Sequence, residues 1–355
     1  MKRVLLVSLP ALALCLAVSA LAEIEQALAF EGVLGWMYKA SAPIGSGIAV
    51  YGGPPPLVLA GDNTGALHAV YAASGQGAWI SKGGFSVAGT PTVSDGLVVF
   101  AQGDGTITAL AAADGSPLWR HSPGDDAADT VVDGTAIGGG MVFFARGDGR
   151  MVALDLKTGA PRWEYVSEGQ LRSAPAFANG LVLLGEQNGK FSAIDPASGR
   201  RIWGGGAGGP INTPASDGEN VYFSSWDGSV HKVRIKGVVP QWNVNVGDSV
   251  TTPPFVANGR VLVGTARGRV EAISAGNGAR LWTFDTGGGS VSGAPLEADG
   301  LVFVGGGQGT FFVLDAATGA ARFTFPTGGG INGSAAFAGG VVFLGSADGS
   351  IYAIR

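Results

Sequence analysis

Acid–base and metal chemistry near neutral pH calls first for histidine, and the 355-residue chain has three: His68, His121 and His231. His68 and His231 occupy one place in a recurring segment where Ser192 and Tyr352 also stand, so they read as interchangeable repeat positions rather than as partners. Repeats four units apart around a ring are too distant for two imidazoles to share a metal at ligand distances of about 2 Å. A second candidate is the carboxylate group Asp125, Asp126 and Asp129, whose oxygens would suit calcium, although the spacing is not that of an EF-hand. These aspartates fall where one period stretches to 44 residues, and a solvated loop is the favoured reading over a calcium site. Glycine runs such as Gly204-Gly205-Gly206 and Gly287-Gly288-Gly289 lack the Lys-Ser or Lys-Thr that a phosphate-binding loop needs. Trp226-Asp227 is an isolated Trp-Asp dipeptide and does not make a WD repeat. No acid and base pair stands at a defensible spacing.

Composition narrows the class. With 62 glycines, 46% hydrophobic residues and 14% charged residues, the chain fits many short strands joined by tight turns. A net charge of −5 supplies no basic surface for phosphate neutralisation, which argues against nucleic acid as a partner. Met1-Lys2-Arg3, the apolar run Val4 to Val18 and small residues at Ala20 and Ala22 predict a secretory signal peptide over residues 1–22. Ala27-Leu28-Ala29 offers a second cleavage site, and an uncleaved anchor is the alternative. Cleavage would leave residues 23–355 as a mature domain with no transmembrane span, in the periplasm or outside the cell. The sole cysteine, Cys15, lies within the apolar run, preceded by Leu14 where lipid attachment wants a small residue. The mature chain is then expected to have no disulfide, no thiolate metal site and no anchoring thiol.

The elements that must position any site follow from two registers. Trp36, Trp79, Trp119, Trp163, Trp203, Trp242, Trp282 and then Phe323 recur at gaps of 43, 40, 44, 40, 39, 40 and 41 residues. The turn glycines Gly65, Gly105, Gly149, Gly189, Gly228, Gly268, Gly309 and Gly349 keep matching intervals. Within a period, Asx-Gly pairs such as Asn179-Gly180 and Asn188-Gly189 separate short apolar runs, which predicts hairpin-linked antiparallel strands. Four strands per period make one propeller blade. Ser334 to Ile354 provides only three strands, and Val33 to Tyr38 is a fourth strand with no blade before it. The expectation is an all-β, eight-bladed β-propeller of four-stranded antiparallel blades, the last blade closed by the N-terminal strand.

The segments Ala153 to Trp163 and Ala193 to Trp203, echoed around Asp315-Ala316-Ala317-Thr318-Gly319, resemble the tryptophan-docking motif of the PQQ-like, quinoprotein-type repeat family. Asp155, Asp195 and Asp315 can each accept N–H groups of the turn that follows, and the indole needs one acceptor for its own N–H. The resemblance implies that the tryptophans dock between neighbouring blades. It also implies weaker docking at Phe323, which has no N–H, and at Lys236-Gly237-Val238-Val239, which lacks the Asp. In size, and in having no appended domain, the chain is similar to the BamB family of propellers in the outer-membrane β-barrel assembly machinery. PQQ-dependent alcohol dehydrogenases share the repeat and hold their quinone between a tryptophan and a disulfide of adjacent cysteines. The mature chain has no cysteine for this, so no PQQ or other cofactor is expected.

Each link from an outer strand to the next blade delivers residues beside the axial channel: Ser46, Ala88, Val132-Asp133, Arg172, Asn212, Thr251, Ser292 and Asn332. The favoured reading is a polar, hydrated channel mouth, with binding at Asp133, Arg172, Asn212, Thr251, Ser292 and Asn332 as the alternative. The functional expectation is a non-catalytic envelope scaffold that binds other envelope proteins. A quinone-dependent dehydrogenase and a carbohydrate- or cell-wall-binding propeller are the alternatives.

Overall fold

A computed structural model of the chain describes residues 30–122 and 131–355. The proposed signal peptide with Cys15, the Ala27-Leu28-Ala29 site and the Asp125, Asp126 and Asp129 group lie outside the described residues.

The described strands form eight sheets of four antiparallel strands. Blade 4 is representative, with strands Ala176–Ala178, Leu181–Gly185, Lys190–Ile194 and Arg201–Gly206 paired in chain order. Asn179 and Gly180, at φ of 54° and 70°, provide the left-handed turn that joins its first two strands. The second and third strands are buried on both faces because each blade is sandwiched between two others, hence apolar runs such as Leu181–Gly185 instead of alternation. First strands contact the first strands of both neighbouring blades all the way round, so they ring the axis.

Blade 8 combines Ala336–Ala338, Val341–Gly345 and Ser350–Ile354 with Leu34–Lys39, and Trp36 stands opposite Ala353. Reciprocal backbone hydrogen bonds between Val33 and Arg355 extend that pairing. Closing the blade from both ends of the propeller leaves no blade with an open flank.

The core is eight apolar layers, one in each seam between blades. The seam between blades 4 and 5 is the thinnest, with six buried members where the others have eight to ten among the described residues. Toward the rim, outer-strand indoles stitch blade to blade. Trp36, Trp79, Trp119, Trp163, Trp242 and Trp282 donate through Nε1 to Ala72, Ala112, Leu156, Pro196, Ala275 and Ala316 carbonyls of the next blade at 2.8–3.2 Å.

Three of these carbonyls, those of Leu156, Pro196 and Ala316, belong to turns that an aspartate organises, whereas Tyr71, Ala111 and Ser274 stand at that place before Ala72, Ala112 and Ala275. Asp155 Oδ1 accepts the Lys157 and Thr158 N–H groups and the Thr158 hydroxyl, while Oδ2 takes Arg162. Asp315 repeats the set with Ala317, Thr318 and Arg322, and Asp195 does so with Ala197 and Ser198. The arginine guanidinium, ahead of the hydroxyl and N–H donors, holds the Asp155 and Asp315 carboxyls down at about 2. The turn ends in a left-handed residue directly under the ring: a Cβ on Gly199 (φ 69°) would lie 2.7 Å from Trp163. Glycine is what permits that approach.

Two seams depart. Phe323 packs on Gly32, where a Cβ would lie 2.7 Å from its ring, and the third and fourth strands of blade 8 are not joined by a turn there. A ring without an N–H suits a place where no turn carbonyl faces it. At blade 5, pairing of Arg234 with Val239 matches the bond from Asp195 to Arg200 in blade 4, which puts Val238 where Gly199 stands. Val238 is a β-branched residue at φ 51°, and Trp203 makes no indole hydrogen bond across this seam. A branched side chain occupies the place over which the indole closes elsewhere.

Candidate functional site

One face of the ring is built from the links between blades and the hairpins joining second and third strands. The two sets are tied together: Asn63, Gly103, Gln187, Trp226, Ala266 and Ala347 N–H groups donate to Pro43, Ser86, Gln170, Pro210, Ser249 and Gly330 carbonyls. This face holds all six candidate channel-mouth residues, each just ahead of or at the start of its blade's first strand.

They divide into two groups. Asn212 is buried: its amide N–H groups reach Ser224 Oγ and the Val250 and Thr252 carbonyls of blade 5 and blade 6, and its oxygen accepts Trp226 Nε1 at 3.1 Å. Thr251 Oγ1 donates to the Val291 carbonyl of the following blade at 2.7 Å. Asp133 accepts the Gly134 N–H at 2.9 Å, yet burial outweighs this and pushes its carboxyl above the usual carboxylate range. Ser46, at the equivalent place in blade 1, is also buried, accepting the Gly61 N–H and donating to the Gly47 carbonyl. Asn212 and Thr251 thus join one blade to the next, while Ser46 ties the first and second strands of its own blade together. Arg172, Ser292 and Asn332 are solvent-exposed. They share the face with Phe85 and Trp226, which are about half exposed, at 54% and 49%.

Among the described residues no group of His, Cys, Asp and Glu side chains is placed to hold a metal ion. His68 is buried, bonded through Nε2 to Asp62 and through Nδ1 to the Tyr38 hydroxyl. His121 lies on Phe144, and burial pushes its imidazole below the ordinary histidine value. His231 stacks on Phe223 with centroids 4.7 Å apart and is likewise pushed down by burial.

One set of positions escapes a reading centred on the docking tryptophans, namely the residue two places after each of them. It projects over the next blade: Tyr38 over His68, Tyr165 onto Ser192, Phe284 onto Phe312 and Phe325 onto Tyr352. At Gly205 and Ser81 the place holds almost no side chain, and each of these two seams carries an open groove of about 310 Å³. Aligning the repeats on tryptophan and reading two residues further would have exposed the substitution. Larger grooves, of about 620 and 470 Å³, lie beside the docking turns of Asp155 and Asp315 and away from the channel mouth.

A sequence profile of the family described as outer membrane protein assembly factor BamB matches residues 22–237, 240–291 and 266–355. Individual relatives are remote. The chain is 24% identical to outer membrane protein assembly factor BamB of Yersinia pestis over 251 residues, covering 67% of this chain and 63% of that protein. The match to BamB of Bordetella pertussis is 29% over 116 residues, covering 32% of this chain and 30% of the relative's length. The crystal structure of BamB from Moraxella catarrhalis superposes with a TM-score of 0.78 at 18% identity, covering 91% of this chain and 99% of that one. The quinohemoprotein alcohol dehydrogenase of Comamonas testosteroni superposes at 0.72 with 15% identity, covering 90% and 76%, a likeness of fold alone. With the profile running along nearly the whole propeller, the chain belongs to the outer membrane protein assembly factor BamB family of PQQ-like β-propellers.

Proposed function

We propose that this protein is a non-catalytic scaffold of the cell envelope that presents one propeller face to protein partners, in the manner of a BamB-like factor in outer-membrane protein assembly. The observation that carries the reading is the family profile matched along the propeller. The face geometry supports it. Asn212, Thr251 and Ser46 are bound to neighbouring strands, and Arg172, Ser292, Asn332, Phe85 and Trp226 are exposed on the same face. Aromatic and arginine side chains of this kind anchor protein interfaces. The proposal includes export to the periplasmic side and no resident cofactor.

No helix among the described residues is long and apolar enough to cross a membrane. The donor set does not fit a quinone: the only cysteine is Cys15, so no disulfide of adjacent cysteines is available to face the cofactor.

The test is photocrosslinking in cells from positions 172, 226, 292 and 332. Capture of envelope proteins from these positions, and not from the outer strands, is the expected result. Recovery of none would overturn the scaffold. Titrating the purified protein with PQQ and calcium reads the dehydrogenase alternative separately, since saturable binding raises the melting temperature by mass action.

A further inference from the structure

We propose that the groove between blades 4 and 5 receives a tyrosine side chain carried by an extended segment of a partner polypeptide. The repeat itself supplies the template. In blade 1, His68 donates from Nε2 to the Asp62 carboxylate, which leaves Nδ1 as an acceptor, and the Tyr38 hydroxyl from the preceding blade fills it at 3.2 Å. His231 is the same repeat position in blade 5. Its Nε2 lies 2.8 Å from Ser229 Oγ, whose own proton goes to Asp227 Oδ1 at 2.5 Å. Ser229 therefore accepts from Nε2–H, and His231 Nδ1 is again left as an acceptor. The residue of blade 4 that corresponds to Tyr38 is Gly205, so the chain brings no phenol to this imidazole.

The space is present as well as the acceptor. A Cβ built on Gly205 would meet nothing within 4 Å, and the groove there has a volume of about 310 Å³, bounded by Phe223, His231 and Trp242. The blade 1–2 seam, where Ser81 holds the same place, has a groove of about the same size, so the opening follows from the small residue and not from one loop. The strand above the groove, Arg201–Gly206, ends in three glycines, which lets a second backbone approach its edge closely. A phenol set edge-on to the imidazole, as Tyr38 stands to His68 at an interplanar angle of 61°, gains aromatic contact together with one hydrogen bond.

The inference concerns a flank of the ring, not the face used in the scaffold reading, and its test uses purified protein and peptides, so either can fail without the other. Amide NMR shifts at Gly205, Gly206 and His231 would be followed while titrating acetyl-Val-Tyr-Val-amide, its phenylalanine counterpart and N-acetyltyrosinamide. The expected result is saturable binding of the tyrosine peptide. The phenylalanine peptide should bind about fivefold more weakly, the equivalent of one hydrogen bond of about 1 kcal/mol. N-acetyltyrosinamide should bind more weakly still, lacking the flanking backbone. G205Y should abolish binding and raise the melting temperature by filling the groove from within, whereas H231F should retain binding but make the two peptides equal. Absence of saturable shifts, equal affinity of the two peptides for the unmodified protein, or equal affinity of N-acetyltyrosinamide and the peptide would each overturn the proposal. So would concentration-dependent self-association that competes with the peptide, since the groove would then belong to a second copy of the chain.

Discussion

Replacing Gly199 by alanine separates the contribution of the docking indole from the cost of backbone conformation. Gly199 and Gly180 have nearly the same backbone, at φ of 69° and 70°, so an added Cβ costs each about 1–2 kcal/mol for the left-handed region. Their surroundings differ. Nothing lies within 4 Å of a Cβ on Gly180, whereas on Gly199 it would press to 2.7 Å from two ring carbons of Trp163. Displacing a packed ring costs about 1–3 kcal/mol. The shift also endangers the 2.8 Å bond from Trp163 Nε1 to the Pro196 carbonyl, worth about 1 kcal/mol. Gly199→Ala is therefore expected to destabilise by about 2–4 kcal/mol more than Gly180→Ala. Urea unfolding followed by far-UV circular dichroism, compared at a common m-value, reads the difference directly. Costs that agree to within about 0.5 kcal/mol would refute the claim that the indole bears on this glycine.

The converse change, Val238→Gly, relieves a branched residue at φ 51° and opens the place over which Trp203 would close. It should raise stability by about 1 kcal/mol in the same urea assay, after the entropy cost of glycine is subtracted. Glu297 is buried in blade 7, accepting Asn258 Nδ2 and both Nε and Nη2 of Arg260 from blade 6. Glu297→Ala should cost about 3 kcal/mol by stranding a mostly buried guanidinium, as read from urea midpoints. For acid sensitivity, the Asp155 and Asp315 carboxyls titrate at about 2 in the folded chain against an ordinary 3.8. Their stabilising contribution is complete above the ordinary value and is lost as pH falls through about 2. The variant carrying Asp155→Asn and Asp315→Asn should accordingly show a flatter fall of urea midpoint between pH 4 and pH 2.

The architecture was legible because a propeller writes its period into chemistry that cannot be moved. The docking indole, the aspartate that gathers turn N–H groups and the left-handed residue beneath the ring must keep one spacing, so Trp163, Asp195 and Gly199 declare a seam from the sequence alone. The unpaired fourth strand at Leu34–Lys39 declares ring closure in the same way. Val238 was readable as the missing Asp motif, but its alignment with Gly199 rests on strand register, which the pairing of Arg234 with Val239 supplies. The channel mouth was legible only as an address. Sequence places Asn212 and Arg172 at equivalent links, yet one turns inward to neighbouring carbonyls and the other points to solvent. That choice is made by the rotation of a side chain between blades, and no periodicity encodes it. The relation between Gly205 and His231 was hidden for another reason: each residue is ordinary within its own blade, and only the pair across the seam is informative.

Joining Leu34–Lys39 to Ser350–Ile354 also fixes an order of events. The two strands are separated by the whole of the intervening propeller, so their pairing carries a loop-closure cost and comes late in folding. Until it happens, the edge of Ser350–Ile354 is open to any extended strand nearby, and Trp36 has not reached the Ala72 carbonyl across the last seam. Assembly of the ring thus resembles the fastening of a clasp, with a vulnerable interval in which a foreign strand can take the place of the native one. A peptide copying Leu34 to Lys39, added during refolding, would compete for that berth and would have no place to bind once the circle is complete.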